Sequence, residues 1–166
     1  YEFGNGVALD QAAAAEWYRR AADQGHPTAQ RNLGNMYFNG WGVPLDMDKA
    51  VDWYKKAAAQ GNISAQFNLG YVYASVKEDY DAALEWWLKS ANAGYPPAMS
   101  NLGVLYRDGL GTAQDTIQAY MWFYLAAELA DQQAEYWRGE LAGSMSAEQI
   151  ARAEELAREW KQKARK

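Results

Sequence analysis

The chain contains no cysteine. That excludes disulfide frameworks, thiolate metal sites and cysteine nucleophiles. Histidine occurs once, at His26, so no second imidazole is present to complete a zinc site. No apolar run approaches the ~18 residues that a membrane-spanning helix requires. Positive charge is sparse too. The chain has 16 Lys and Arg against 21 Asp and Glu, a net charge of −5. The basic residues are scattered, except for Lys161, Lys163, Arg165 and Lys166 at the C-terminus. An acidic chain without a basic stripe is ill-suited to nucleic acid, because neutralising phosphates takes clustered cations. The terminal cluster reads instead as a solvated helix end at the negative pole of the helix dipole. Neither a nucleic-acid partner nor a membrane span is expected.

What is abundant is flat and aromatic: 8 Trp and 12 Tyr beside only 4 Phe. These residues recur in register. The stretch "DWYKKAAAQGNISAQFNLGYVYA" at 52–74 reappears 36 residues earlier as "EWYRRAADQGHPTAQRNLGNMYF". It reappears 33 residues later as "EWWLKSANAGYPPAMSNLGVLYR", and after a further 36 as "MWFYLAAELADQQAEYWRGELAG". Trp17, Trp53, Trp86 and Trp122 fall in one column, and Tyr18, Tyr54, Trp87 and Phe123 in the next. Ala29, Ala65, Ala98 and Ala134 share another, as do Gly34, Gly70, Gly103 and Gly139, and Tyr1, Tyr37, Tyr73 and Tyr106. A fixed period of this length marks an array of stacked supersecondary units.

Each unit reads as two helices. Ala50, Trp53, Tyr54, Ala57 and Ala58 follow an amphipathic stripe. Asp46 precedes it as an N-cap, with Asp10, Asp79 and Asp115 in the same column. Gly61 supplies a left-handed helix end. A second stripe runs through Ala65, Leu69 and Tyr73. Gly34, Gly70 and Gly103 lie inside that second helix, where a glycine costs roughly 1 kcal/mol against alanine. A repeated penalty implies a repeated gain, and the gain expected is close approach of a Trp or Tyr ring from the partner helix. The linkers "FGNGVALD" at 3–10, "NGWGVPLD" at 39–46 and "DGLGTAQD" at 108–115 are glycine-rich. No Lys-Ser/Thr follows them and no strand precedes them, so they are turns and not phosphate cradles. The third unit shortens this linker to "SVKEDYD", 75–81.

The pattern Leu-Gly-x-x-Tyr, Gly-x-Gly-Val, Asp, Ala-x-x-Trp-Tyr-x-x-Ala-Ala-x-x-Gly, best kept in "LGNMYFNGWGVPLDMDKAVDWYKKAAAQG" at 33–61, resembles the Sel-one-like repeat family, a branch of the tetratricopeptide superfamily. The resemblance covers residues 1–142. It implies an all-α fold, a right-handed α/α superhelical solenoid of helix-turn-helix repeats. It also implies a protein-interaction adaptor or regulator, with no catalytic residues and no cofactor to carry over. Many such proteins are bacterial and many are exported. Because Tyr1 falls inside the repeat pattern, upstream repeats and a targeting signal are expected in the natural protein. Departures are the shortened third linker, Ala130 in the glycine column, and Arg138 and Ala142 in place of Leu and Tyr. The expected organisation is therefore a repeat array over 1–142, with a partial first and a degenerate last unit, and a capping helix over 143–166. In that last segment Ser146 and Gln149 form a capping box, Met145 staples onto Ile150, and Ile150, Ala153, Ala157 and Trp160 make a narrow apolar stripe.

The second helices also carry columns that vary. In successive units these read Thr28, Arg31, Asn35 and Phe38; Ser64, Phe67, Tyr71 and Ala74; Pro97, Ser100, Val104 and Arg107. At 100° per residue they lie opposite the core stripe. In the family this helix lines a concave groove, so the expected partner-binding residues are Arg31, Asn35, Phe38, Phe67, Tyr71, Val104 and Arg107, with Tyr136 extending the patch. Aromatics and arginine are the usual anchors of interfaces. Packing of Phe67 and Tyr71 inside the protein is the competing reading.

No catalytic constellation is visible. His26 sits in a turn column, Asp46/Asp48 is a helix start, Glu154/Glu155 lies on a solvated face, and no serine occupies a nucleophile elbow. Asn62-Ile63-Ser64 matches a glycosylation triplet that also arises by chance. Two classes of function stand: an adaptor that binds another protein or peptide, and a structural module that self-associates. A cell-wall glycan binder is a more distant third. Neither a metal nor a cofactor is expected.

Overall fold

The computed structural model describes residues 10–164. Tyr1, residues 3–9 of the first linker, Arg165 and Lys166 lie outside them. The described residues form nine helices and no strand. They are α1 (Gln11–Asp23), α2 (Pro27–Asn39), α3 (Met47–Ala59), α4 (Ile63–Ser75), α5 (Tyr80–Asn92), α6 (Pro96–Asp108), α7 (Thr116–Glu128), α8 (Gln132–Ala142) and α9 (Ala147–Ala164). Two compact units share these helices, one up to Leu69 and one from Gly70, so that the division falls within α4.

Local chemistry sets the helix starts. Asp10, Asp46, Asp79 and Asp115 each accept a hydrogen bond from the backbone N–H three residues on, at 2.9–3.0 Å, which satisfies an orphan donor of the first turn. Lys49 pairs with Asp46 at 2.9 Å, and the backbone N–H of Lys49, followed by its side chain, holds the Asp46 carboxyl below its usual range. Asn62 caps α4 in the same way through Ala65, so the Asn62 amide is committed to a helix start. His26 is the exposed N-cap residue of α2 and makes no side-chain cap bond. Ala130 replaces glycine yet keeps the left-handed backbone, with φ 65°. The turn geometry therefore outlasts the residue that makes it easy.

In the first unit α2 packs on α1 and α3. Leu33, Met36, Ala50, Tyr54 and Ala57 are buried there. In the second unit α6 packs on α5 and α7, and α7 also holds α8 and α9. Leu102, Leu105, Ala119, Phe123 and Ala126 form its interior. The in-helix glycines do what their column suggests. A Cβ on Gly34 would meet the Tyr54 ring at 2.6 Å, and one on Gly103 would meet the Phe123 ring at 2.5 Å. On Gly70 it would run into the indole of Trp87. The covering ring comes each time from the second aromatic column.

The first aromatic column, that of the tryptophans, does not stay inside. Trp17 is 57% exposed, Trp53 and Trp86 are half-buried, and only Trp122 is buried, at 4%. Arg20, Lys56 and Lys89, each three residues further on, place their cations 5.0, 3.8 and 4.0 Å from the ring centres of Trp17, Trp53 and Trp86. The fourth unit has Leu125 at that position. There the ring of Trp160 from α9 stands edge-on to Trp122 at 5.8 Å. Ala153 and Ala157 of α9 are fully buried, and Ser146 and Gln149 make the reciprocal capping box.

Candidate functional site

The variable columns of the second helices fall on both units and differ between them. In the first unit Arg31 is half-buried, and its guanidinium donates to Asn32 Oδ1 at 2.6 Å. Phe38 and Phe67 are half-buried. Asn35 is drawn inward. Its Oδ1 accepts from the Tyr54 hydroxyl at 2.8 Å and from Asn68 Nδ2 at 2.9 Å. Burial pushes the Tyr54 phenol far above its ordinary value, while the neighbouring Asn68 amide and the Arg31 charge act in the other direction. Asn35 is thus the hub of a closed side-chain network.

In the second unit Tyr71 is 47% exposed. It borders a depression of about 250 Å³ together with Tyr80, Trp87, Asn101 and Val104. Tyr71 and Val104, both expected on the groove, are brought together here. Arg107 is engaged elsewhere. Its guanidinium makes two hydrogen bonds to the Asp108 carboxylate, at 2.7 and 2.8 Å, and lies 4.4 Å over the Trp137 ring. The Arg107 partner holds the Asp108 carboxyl below its usual range. Tyr136 is 56% exposed and stands edge-on to Trp137 at 5.1 Å. Arg107, Trp137 and Tyr136 therefore form one cation–aromatic cluster.

Sequence reasoning missed Asn101 and Trp137. Both belong to one column, Asn32, Asn68, Asn101 and Trp137. The signal was available: a polar residue held inside a helix through three repeats calls for a partner. A second, larger concavity of about 710 Å³ lies between the α5–α6 turn, α7 and α9. Its polar side chains already satisfy one another, Trp160 Nε1 with Asn92 at 3.1 Å and Lys161 with Glu128 at 2.7 Å.

No group of three or more His, Cys, Asp or Glu is placed to hold a metal among the described residues. Nor is any helix among them long and apolar enough to cross a membrane. What the second helices present is neutral aromatic surface, amides and paired arginine, a set suited to recognition. A family model for the Sel1 repeat matches residues 1–26, 27–62, 63–95 and 96–131.

The chain belongs to the Sel1 repeat family. A Sel1 repeat protein from Oxalobacter formigenes is 34% identical, with a TM-score of 0.76 over 84% of this chain. The protein c5321, a protective antigen of uropathogenic Escherichia coli with an SLR fold, is 33% identical, with a TM-score of 0.80 over 99% of this chain. The alignments span 59% and 36% of those two proteins. No curated protein matches the chain significantly. The likeness establishes the all-α solenoid class of helix-pair repeats. Sel1 repeats typically mediate contacts between proteins, on a scaffold that is typically non-catalytic.

Proposed function

We propose that this Sel1 array is a non-catalytic adaptor whose second helices bind a segment of another protein. The observation that carries the reading is the exposure of Tyr71 and Tyr136, at 47% and 56%, in columns that vary from repeat to repeat while the core columns recur. A large aromatic left half in water by a fold that buries its neighbours supplies rigid contact area at small entropic cost. Val104 extends the surface at Tyr71, and Arg31, Phe38 and Phe67 occupy the variable columns of the first unit. Asn35 and Arg107 act indirectly, as supports held by Tyr54 and by Asp108.

The test is binding by a captured and then purified partner. Wild-type protein and a Phe67→Asp/Tyr71→Asp variant, shown to be equally helical by circular dichroism, are used to retrieve proteins from a lysate of the source organism. Calorimetry then measures Kd for the purified partner. A loss of tenfold or more in the variant is expected. Equal affinity for both proteins would remove these columns from the binding site. Sedimentation of the protein alone tests the competing class: a dimer abolished by the same substitutions would assign this face to a second copy.

A further inference from the structure

The adaptor reading leaves open what the face recognises, and one place on it is chemically distinct. In the first unit the columns Asn35, Tyr54 and Asn68 close on one another through hydrogen bonds. In the second unit the same columns hold Tyr71, Trp87 and Asn101, and they surround an open depression. Trp87 has no hydroxyl to offer in place of that of Tyr54. The half-buried side-chain amide of Asn101 makes no hydrogen bond to another described residue. We propose that the depression between Tyr71, Asn101 and Val104 anchors one large uncharged side chain of an extended protein segment, with the Asn101 amide hydrogen-bonded to the main chain of that segment.

Three physical arguments select this occupant. The volume, about 250 Å³, falls below the roughly 300–1,000 Å³ of small-molecule and cofactor pockets, yet it exceeds the space of a few waters at about 30 Å³ each. A single large side chain is the matching unit. Its walls carry no charged side chain, so an entering carboxylate or ammonium would lose hydration with nothing to replace it. The occupant is neutral and mainly apolar. Lastly, a carboxamide offers a donor and an acceptor from one plane, the complement of a peptide N–H and C=O. In a helical ligand those groups are already paired within the helix, which makes the segment extended. The larger concavity beside α9 lacks this feature, because its amide and ion pair are mutually satisfied.

This inference rests on the adaptor reading, and its test is separable from it. The full chain, labelled with ¹⁵N and in its methyl groups, is titrated with blocked amino acids: N-acetyl-leucine methylamide, the phenylalanine analogue and the glutamate analogue. Benzene serves as an apolar probe without a hydrogen-bonding N–H, O–H or C=O group. The leucine and phenylalanine probes are expected to shift both the Asn101 side-chain NH₂ and the Val104 methyls, with saturation in the millimolar range. The glutamate probe should bind at least tenfold more weakly. Benzene should move the Val104 methyls and leave the Asn101 NH₂ in place. Asn101→Ala should weaken the leucine probe about fivefold or more. Val104→Met, which fills the depression and leaves the amide intact, should do the same. Equal binding of the glutamate probe, or an unchanged leucine affinity in both variants, would overturn the anchor. If the partner captured in the preceding experiment is lost by Tyr71→Asp but retained by Asn101→Ala, the adaptor reading stands and the anchor falls.

Discussion

The two compact units of this protein put equivalent positions to opposite uses. In the first, Asn35, Tyr54 and Asn68 satisfy one another beneath the variable face. In the second, Tyr71, Trp87 and Asn101 border an opening. The outer tryptophan column differs as well. Trp17 is 57% exposed beneath Arg20, and Trp122 is 4% exposed beneath Trp160. Repetition preserves the layer where a second helix meets the first helix that follows it, since glycine and ring fit together at Gly34, Gly70 and Gly103. It does not determine the layers outside. There a single exchange, tyrosine to tryptophan or lysine to leucine, decides whether a position is closed internally or offered outward.

The largest expected contrast lies in the tryptophan column. Trp122→Ala should destabilise the protein by ~3–5 kcal/mol, as for a buried aromatic. Trp17→Ala should cost less than about 1 kcal/mol, because its ring is largely in water. Urea unfolding of both variants measures the difference. Similar losses would mean that exposure does not distinguish the two positions.

The glycine column sharpens what the units share. Gly34→Ala and Gly70→Ala should each destabilise by ~1–3 kcal/mol through overpacking against Tyr54 and Trp87. That outcome runs against the better helix propensity of alanine. A Cβ on Gly139, in the same column of the last repeat, meets nothing within 4 Å. Gly139→Ala should therefore raise the melting temperature, by up to about 1 kcal/mol of added stability. A rise for Gly70→Ala would sink the close-approach account.

Next come the side-chain amides of the two units. Asn35→Leu leaves the Tyr54 hydroxyl and the Asn68 amide without their shared acceptor and should cost ~1–3 kcal/mol. Asn101→Leu removes no hydrogen bond between described residues and should stay within about 0.5 kcal/mol of wild type. If both substitutions destabilise equally, the second unit is as closed as the first.

Much of the helix layer was legible in the sequence because it repeats. The four Asp caps, the close-packed glycines and the Ser146–Gln149 capping box follow from residue type and spacing. The tryptophans were harder to read. Helical periodicity places Trp53 on the apolar stripe, but it cannot show that the buried face turns toward Val51, 4% exposed, while the indole ends half in solvent under Lys56. The candidate face was legible only as a set of columns. Whether Asn35 points to a ligand or to Tyr54 depends on a residue 19 positions away. Whether Arg107 is available depends on Asp108 and on Trp137. Pairings of that kind belong to tertiary structure, and no single-helix pattern encodes them.

The smallest expected effect tests the closed network through its proton. Burial raises the Tyr54 pKa in the folded protein, whereas an unfolded tyrosine ionises near ~10. The folded state therefore favours the neutral phenol, which donates to Asn35. Its contribution is complete below about pH 10 and declines as pH rises above that value, at up to about 1.4 kcal/mol per pH unit for one proton. Tyr54→Phe loses the hydrogen bond at pH 9, which should cost about 1 kcal/mol, and loses the alkaline sensitivity with it. The stability gap between wild type and Tyr54→Phe should therefore narrow between pH 9 and pH 11 in denaturant unfolding. Trp87 has no titrating group in the same column, so a Trp87→Phe control should show a gap that Trp87 itself does not make pH-dependent. A constant gap for Tyr54→Phe would mean that the phenol reaches water in the folded state, and the first unit would lose its claim to be closed.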